Sequence, residues 1–203
     1  DHIDTFVTIS VLAAVCDDQE KHVEAETLFL NLYQVQKRVL GTDHLDTLAT
    51  LGNLANSCTL QGKHAEAMKR RGEQADGMRR ALGASDPRTL ITMNIAAQAC
   101  EKGGMPSDAE KLYFGALEVL KKSLGAEHPD TLVQADQVAL MLGRRGRHVE
   151  ALRLHHECLD AKRRMLGPKD PQTLFSMKNL ADEYEAQGRH AESEASQQQV
   201  LET

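Results

Sequence analysis

At 203 residues the chain is long enough for one or two domains with a sizeable buried core, on a prior of roughly 150 residues per domain. Its 24 basic and 30 acidic residues leave a net charge of −6, which provides no general basic field for nucleic acid or anionic lipid. Aromatics at 3% with no Trp remove the stacking platforms that single strands and sugar rings use.

The four Cys fall at no CxxC or other paired spacing, so neither a disulfide framework nor a zinc ribbon is suggested, and a reducing, cytoplasmic setting fits. No stretch approaches 18 apolar residues and no basic-then-apolar leader opens the chain, so membrane insertion is not expected. The first residues, Asp1-His2-Ile3-Asp4-Thr5, stand in the middle of a pattern that recurs later, which reads as a piece of something longer.

That pattern has a period of 42 residues. Leu-Gly occurs at Leu40-Gly41, Leu82-Gly83, Leu124-Gly125 and Leu166-Gly167. Thr recurs at Thr5, Thr47, Thr89, Thr131 and Thr173, and Ala at Ala13, Ala55, Ala97, Ala139 and Ala181. With background frequencies of roughly a tenth or less per residue, two unanimous columns are hard to obtain by chance. The next column reads Phe6, Leu48, Leu90, Leu132 and Leu174. The expectation is a single repeat domain over 1–203 made of about five copies: 1–41, 42–83, 84–125, 126–167 and a truncated 168–203.

Each copy carries the signals of two helices. In the second copy Leu48, Leu51, Leu54, Ala55 and Cys58 fall at helical spacing and predict a first helix, which Gly62-Lys63-His64 ends. Its second helix, from about Ala65, is the most divergent. Gly72 and Gly77 stand inside it and polar residues replace Leu and Tyr, so it is expected to be the least stable segment, through degeneration of one copy, the alternative being a hinge or a docking surface.

The third copy opens on Asp86-Pro87, an N-cap followed by proline at the first helical position, and its second helix begins near Ser107. In the fourth, Gly146-Arg147-His148 separates the helices and the second starts near Val149. The fifth repeats the Asp-Pro start at Asp170-Pro171, continues through Leu174, Met177, Leu180, Ala181 and Tyr184, and breaks at Gly188-Arg189-His190. The Ala columns are expected where two helix axes come closest, and Leu117 and Leu159 between neighbouring copies. Such hairpins cannot bury their apolar stripes alone, so they should stack.

The run Leu51-Gly52-Asn53-Leu54-Ala55 through Gln61-Gly62-Lys63-His64-Ala65-Glu66-Ala67 resembles the tetratricopeptide repeat. The 42-residue period and Leu124-Gly125-Ala126-Glu127-His128-Pro129-Asp130-Thr131-Leu132 resemble the kinesin light chain type in particular. His22, His64, His148 and His190 depart from the Tyr usual in that family, and no coiled-coil heptad run is present. The resemblance implies an all-α solenoid of helix-turn-helix repeats wound as a right-handed superhelix.

The resemblance also implies that the first helix of each copy lines a concave groove that binds an extended protein or peptide segment. Aligned to the repeat, the outward positions include Asn53, Asn56, Asn94, Gln98, Asp136, Arg144, Lys178 and Asp182. Amides there can donate and accept at once, which suits clamping a peptide backbone. The alternative role is a sensor or autoinhibitory array of a larger signalling NTPase.

Other constellations are weaker. Basic pairs at Lys37-Arg38, Arg79-Arg80, Lys121-Lys122 and Arg163-Arg164 suit the negative ends of the second helices. His155, His156 and Cys158 are too few for a metal site, and Cys16, Cys58 and Cys100 share one column as small packing groups. No phosphate loop, GxSxG or HExxH is present, so no enzyme, metal or cofactor is expected. Val200 and Leu201 would lack a following helix, leaving an end that could pair with itself.

Overall fold

The computed structural model describes residues 2–202, with side chains over 4–198, and every regular element among them is an α-helix. The first helices of the five copies are α1 (His2–Asp18), α3 (Leu45–Leu60), α5 (Pro87–Lys102), α7 (Pro129–Arg144) and α9 (Pro171–Ala186). The second helices are α2 (His22–Val39), α4 (His64–Leu82), α6 (Pro106–Leu124), α8 (His148–Leu166) and α10 (His190–Glu202). The side chains of Val200 and Leu201, expected to form an uncovered end, lie outside the described residues.

Local chemistry sets the helix limits. Asp86 and Asp170 cap α5 and α9, each accepting a backbone N–H two residues on at 2.8 Å, with proline next in the chain. His44 and His128 fill the same column in the alternate copies. Their Nδ1 atoms accept from Asp46 N and Asp130 N at 3.2 Å, so the cap survives the change of residue.

Between the helices of a copy the backbone turns through a left-handed residue: Gly62, Gly104, Gly146 and Gly188 have φ of 73°, 74°, 74° and 68°. The first copy makes the same turn with Glu20 at φ 63°. For an L-residue with a side chain that conformation costs about 1–2 kcal/mol.

The chain forms two compact units, Asp1–Leu112 and Tyr113–Thr203, and the boundary falls inside α6. In the first unit α1 to α5 each pack on their neighbours in sequence, and α1 also touches α3. In the second unit α7 to α10 do the same, and α7 touches α9. Ala13, Ala55, Ala97, Ala139 and Ala181 have no exposed surface. Around Ala13 the core consists of Ala25 and Phe29 from α2 and Leu54 from α3.

The Thr column from Thr47 onward is buried as well, and two members show why. Thr89 donates to Met78 O at 3.2 Å and Thr131 to Gly125 O at 2.8 Å, tying the start of a first helix to the end of the helix before it. Three histidines at the starts of second helices face carboxylates: His22 and Asp17 at 3.0 Å, His148 and Glu183 at 2.7 Å, His190 and Glu185 at 3.2 Å.

At Gly77 and Gln74 helix α4 departs from the expectation of degeneration. A Cβ on Gly77 would overlap the buried Leu48 side chain of α3, and one on Gly52 would overlap the amide of Gln74. Gln74 donates to Leu48 O at 3.1 Å and accepts from Arg71 at 3.0 Å. The polar and glycine positions of α4 therefore build a close α3–α4 contact. Gly72 is different, because open space surrounds its missing Cβ.

The two glycines should respond oppositely in chemical denaturation. Gly77→Ala is expected to cost about 1–3 kcal/mol through overpacking against Leu48. Gly72→Ala should gain about 0.5–1 kcal/mol, the ordinary helix-propensity difference. Equal responses would mean that α3 and α4 do not approach at Gly77. At the α1–α2 turn, Glu20→Gly should raise stability by about 1 kcal/mol; no gain would show that the turn is not left-handed there.

Candidate functional site

The outward faces of the first helices carry the polar groups expected there, with an exception. Asn53, Asn56, Gln98, Arg144, Lys178 and Asp182 are exposed and Asn94 is half-buried. Asp136 is 2% exposed. Its Oδ2 accepts from Lys162 Nζ at 2.5 Å and from Ser176 Oγ at 2.8 Å, and Lys162 also reaches Ser176 Oγ at 2.8 Å. The expected surface contact is thus an internal ion pair linking α7, α8 and α9. A buried carboxylate is tolerable only with such partners.

His155, fully buried, stands with Nδ1 3.5 Å from Asp136 Oδ1, long for a hydrogen bond. Burial raises the Asp136 pKa, but the His155 ring, the Lys162 ammonium and the Ser176 hydroxyl outweigh it and hold the carboxyl below its ordinary value. Nearby Cys158 is pushed up to about 12 by burial and by the Asp136 charge, so its thiol is inert. His156 is directed elsewhere, with Nε2 2.8 Å from the Tyr184 hydroxyl. Among the described residues no three potential metal ligands come together.

A feature missed in the sequence is an apolar column on the outward face. Val7, Ile91, Val133 and Phe175 are 58%, 58%, 44% and 52% exposed, and Ala49, also exposed, completes the column. It directly follows the buried Phe6 and Leu48 column. The signal was available as a column that is apolar in all five copies.

Four of them, Val7, Ala49, Val133 and Phe175, edge two clefts. In the first unit a cleft of about 220 Å³ lies between α1 and α3, lined by Val7, Ser10, Val11, Asp46, Ala49 and Asn53, with Gln36 from α2. In the second, about 200 Å³ lies between α7 and α9, lined by Val133, Asp136, Gln137, Gln172 and Phe175, with Lys162 from α8. The two are repeat-equivalent. Val7 corresponds to Val133, Ser10 to Asp136, Gln36 to Lys162, Asp46 to Gln172 and Ala49 to Phe175, each three periods apart. The rims share the apolar pair Val7 and Ala49 or Val133 and Phe175 but differ where Val11 and Asp46 face Gln137 and Gln172, and the floors differ as well, neutral in one and ionic in the other.

The basic pairs occupy the last turns of α2, α4, α6 and α8. Arg80 and Arg164 also bond acidic residues before the first helix of their own copies, Asp43 at 2.8 Å and Glu127 at 2.7 Å. Exposed pairs of this kind contribute at most about 1 kcal/mol each.

The tetratricopeptide repeat family model matches residues 4–70 and 131–203. The chain belongs to the tetratricopeptide repeat family. Among solved structures this tetratricopeptide chain is similar to a Podosopora anserina protein assigned to the kinesin light chains and described as having nearly identical TPR-like repeats. The identity is 23% over 97% of this chain and 93% of that one, with a TM-score of 0.80. BtubC (BKLC) from P. vanneervenii is 17% identical over 96% of this chain and 77% of its own, with a TM-score of 0.70. YrrB, described as a TPR protein with an unusual peptide-binding site, is 10% identical over 96% and 84% of the two chains, with a TM-score of 0.56. No curated protein sequence matches. The structural likenesses establish the all-α repeat fold, kinesin light chain-like in form. No described helix is long and apolar enough to cross a membrane.

The ion pair gives a test of the second unit. Lys162→Met should cost about 3–5 kcal/mol, because it strands a buried carboxylate. The double change Asp136→Ser with Lys162→Gln, which copies Ser10 and Gln36, should recover most of the loss. Because the folded Asp136 pKa is depressed, its contribution is full above the ordinary value of 3.8 and is lost as pH falls below that toward the folded value. Urea titrations at a series of pH values should show a smaller loss of stability on acidification in the double variant than in the wild type, since Glu26, Asp86 and other carboxyls with lowered values remain in both.

Proposed function

We propose that this chain is a non-catalytic interaction scaffold that holds an extended segment of a partner protein against the outward faces of its first helices. The observation that carries the reading is the recurrence of one cleft, with an exposed apolar residue from each of its two first helices, at equivalent positions of both units. In each unit a side chain of a bound segment would enter the cleft, its backbone flanked by Asn53, Asn56, Asn94 and Gln98 in the first and by Arg144, Lys178 and Asp182 in the second. Asp136 acts from below, by holding Lys162 in the floor. An extended segment suits such a face because its alternate side chains can occupy pockets while main-chain groups meet polar side chains.

Membership of the tetratricopeptide family supports the scaffold role, and the described peptide-binding site of YrrB supports a peptide as ligand. In this reading the five copies act as one repeat domain. All four cysteines are free thiols, which supports a reducing compartment such as the cytoplasm.

The test is selection of a displayed random peptide library on the purified chain, followed by titration of synthetic versions of the recovered peptides. Val133→Asp and Phe175→Asp, both on exposed positions, should each weaken binding by about ten-fold or more. Their thermal midpoints should stay close to that of the wild type. Binding unchanged in both variants, or no peptide recovered at all, would overturn the proposal.

A further inference from the structure

We infer that the cleft between α1 and α3 is a pocket for a carboxamide side chain, a Gln or Asn of the bound segment, and that Gln36 selects it. This rests on the groove reading above. Gln36 occupies a column whose other members are Met78, Leu120 and Lys162, all buried. Two copies thus place an apolar residue there, and the fourth places a cation fully engaged by Asp136 and Ser176. Gln36 follows neither pattern. It is 4% exposed, lines the cleft, and its Oε1 has no hydrogen-bond partner. A buried polar atom left unpaired costs stability that Met or Leu at this place would not, and such exceptions concentrate at functional sites.

The surroundings narrow the occupant. Ser10, Thr50 and Asn53 offer hydroxyl and amide groups, and the charge on the lining is Asp46, whose side chain is 67% exposed at the rim. An ammonium or carboxylate entering this neutral floor would be desolvated without a buried counter-charge. An aliphatic side chain would leave the Gln36 carbonyl as unpaired as it is now. A carboxamide meets both demands, because its carbonyl accepts from a hydroxyl or from the Gln36 amide and, once the Gln36 amide turns about its last torsion to bring the enclosed Oε1 to the cleft, its N–H groups donate there. Its methylene groups would lie along Val7 and Val11. In the equivalent cleft of the second unit Asp136 Oδ2 is held by Lys162 and Ser176, and the oxygen left without a partner, Asp136 Oδ1, belongs to a charged carboxylate beside an ammonium, so that floor is ionic and sets a different demand.

The experiment uses peptides recovered from the random library on the wild-type chain. They should share a position enriched in Gln or Asn, and changing that residue to Leu should weaken binding to the wild type by about ten-fold or more. On the Gln36→Leu chain the preference should vanish or reverse. Leu120 shows that the column accepts leucine, and the thermal midpoint of Gln36→Leu should be equal to or above that of the wild type, reporting removal of an unpaired amide. Peptides with no amide position, or an amide preference retained by Gln36→Leu, would overturn the pocket. Peptides sensitive to Phe175→Asp but indifferent to Gln36→Leu would overturn it while leaving the groove intact. Recovery of no peptide would overturn both.

Discussion

In every first helix an alanine with no exposed surface stands at the same place, and the architecture of each copy follows from it. Two helices packed through a small residue approach closely, and this close approach fixes how each is rotated about its own axis. Once the rotation is set, the Phe6 and Leu48 column points inward and the column after it points outward. The outward faces are therefore a by-product of the core. Where the second copy tightens the contact further, glycine replaces larger residues at Gly52 and Gly77, and the facing Gln74 and Leu48 occupy the space. An apolar column can then stay exposed without loosening the fold, because the residues beside it carry the packing.

The helices, their caps and their turns were legible in the sequence because their causes are local. Asp-Pro dipeptides, Leu-Gly stops and apolar spacing each act within a few residues, and the 42-residue recurrence repeats the signal. The face chemistry was legible only in part. Asp136 reads as a surface carboxylate until Lys162, 26 residues on and in another helix, is brought to it by the fold. Val7, Val133 and Phe175 drew no reading from spacing, because only their exposure separates them from their apolar neighbours. The glycines of α4 read as damage because the partner that requires one of them, Leu48, lies in the preceding helix.

The two clefts show how one backbone arrangement supports different chemistries. The column of Gln36 and Lys162 lies beneath both, and the column of Ser10 and Asp136 beside it. Changing the two together from neutral to ionic keeps each floor coherent, whereas changing one alone would strand a charge. Such paired exchange lets individual copies acquire distinct preferences while the helix-pair core stays the same.

The glycines between copies govern how such a chain can grow or shrink. Successive copies are joined through Gly41, Gly83, Gly125 and Gly167, whose φ of 99°, 89°, 97° and 89° are alike whatever residues the faces carry. A unit of 42 residues can therefore be duplicated or removed at these joints without altering the backbone path on either side. The number of copies and the chemistry of each can then vary independently, which makes the length of the recognised segment separable from its sequence.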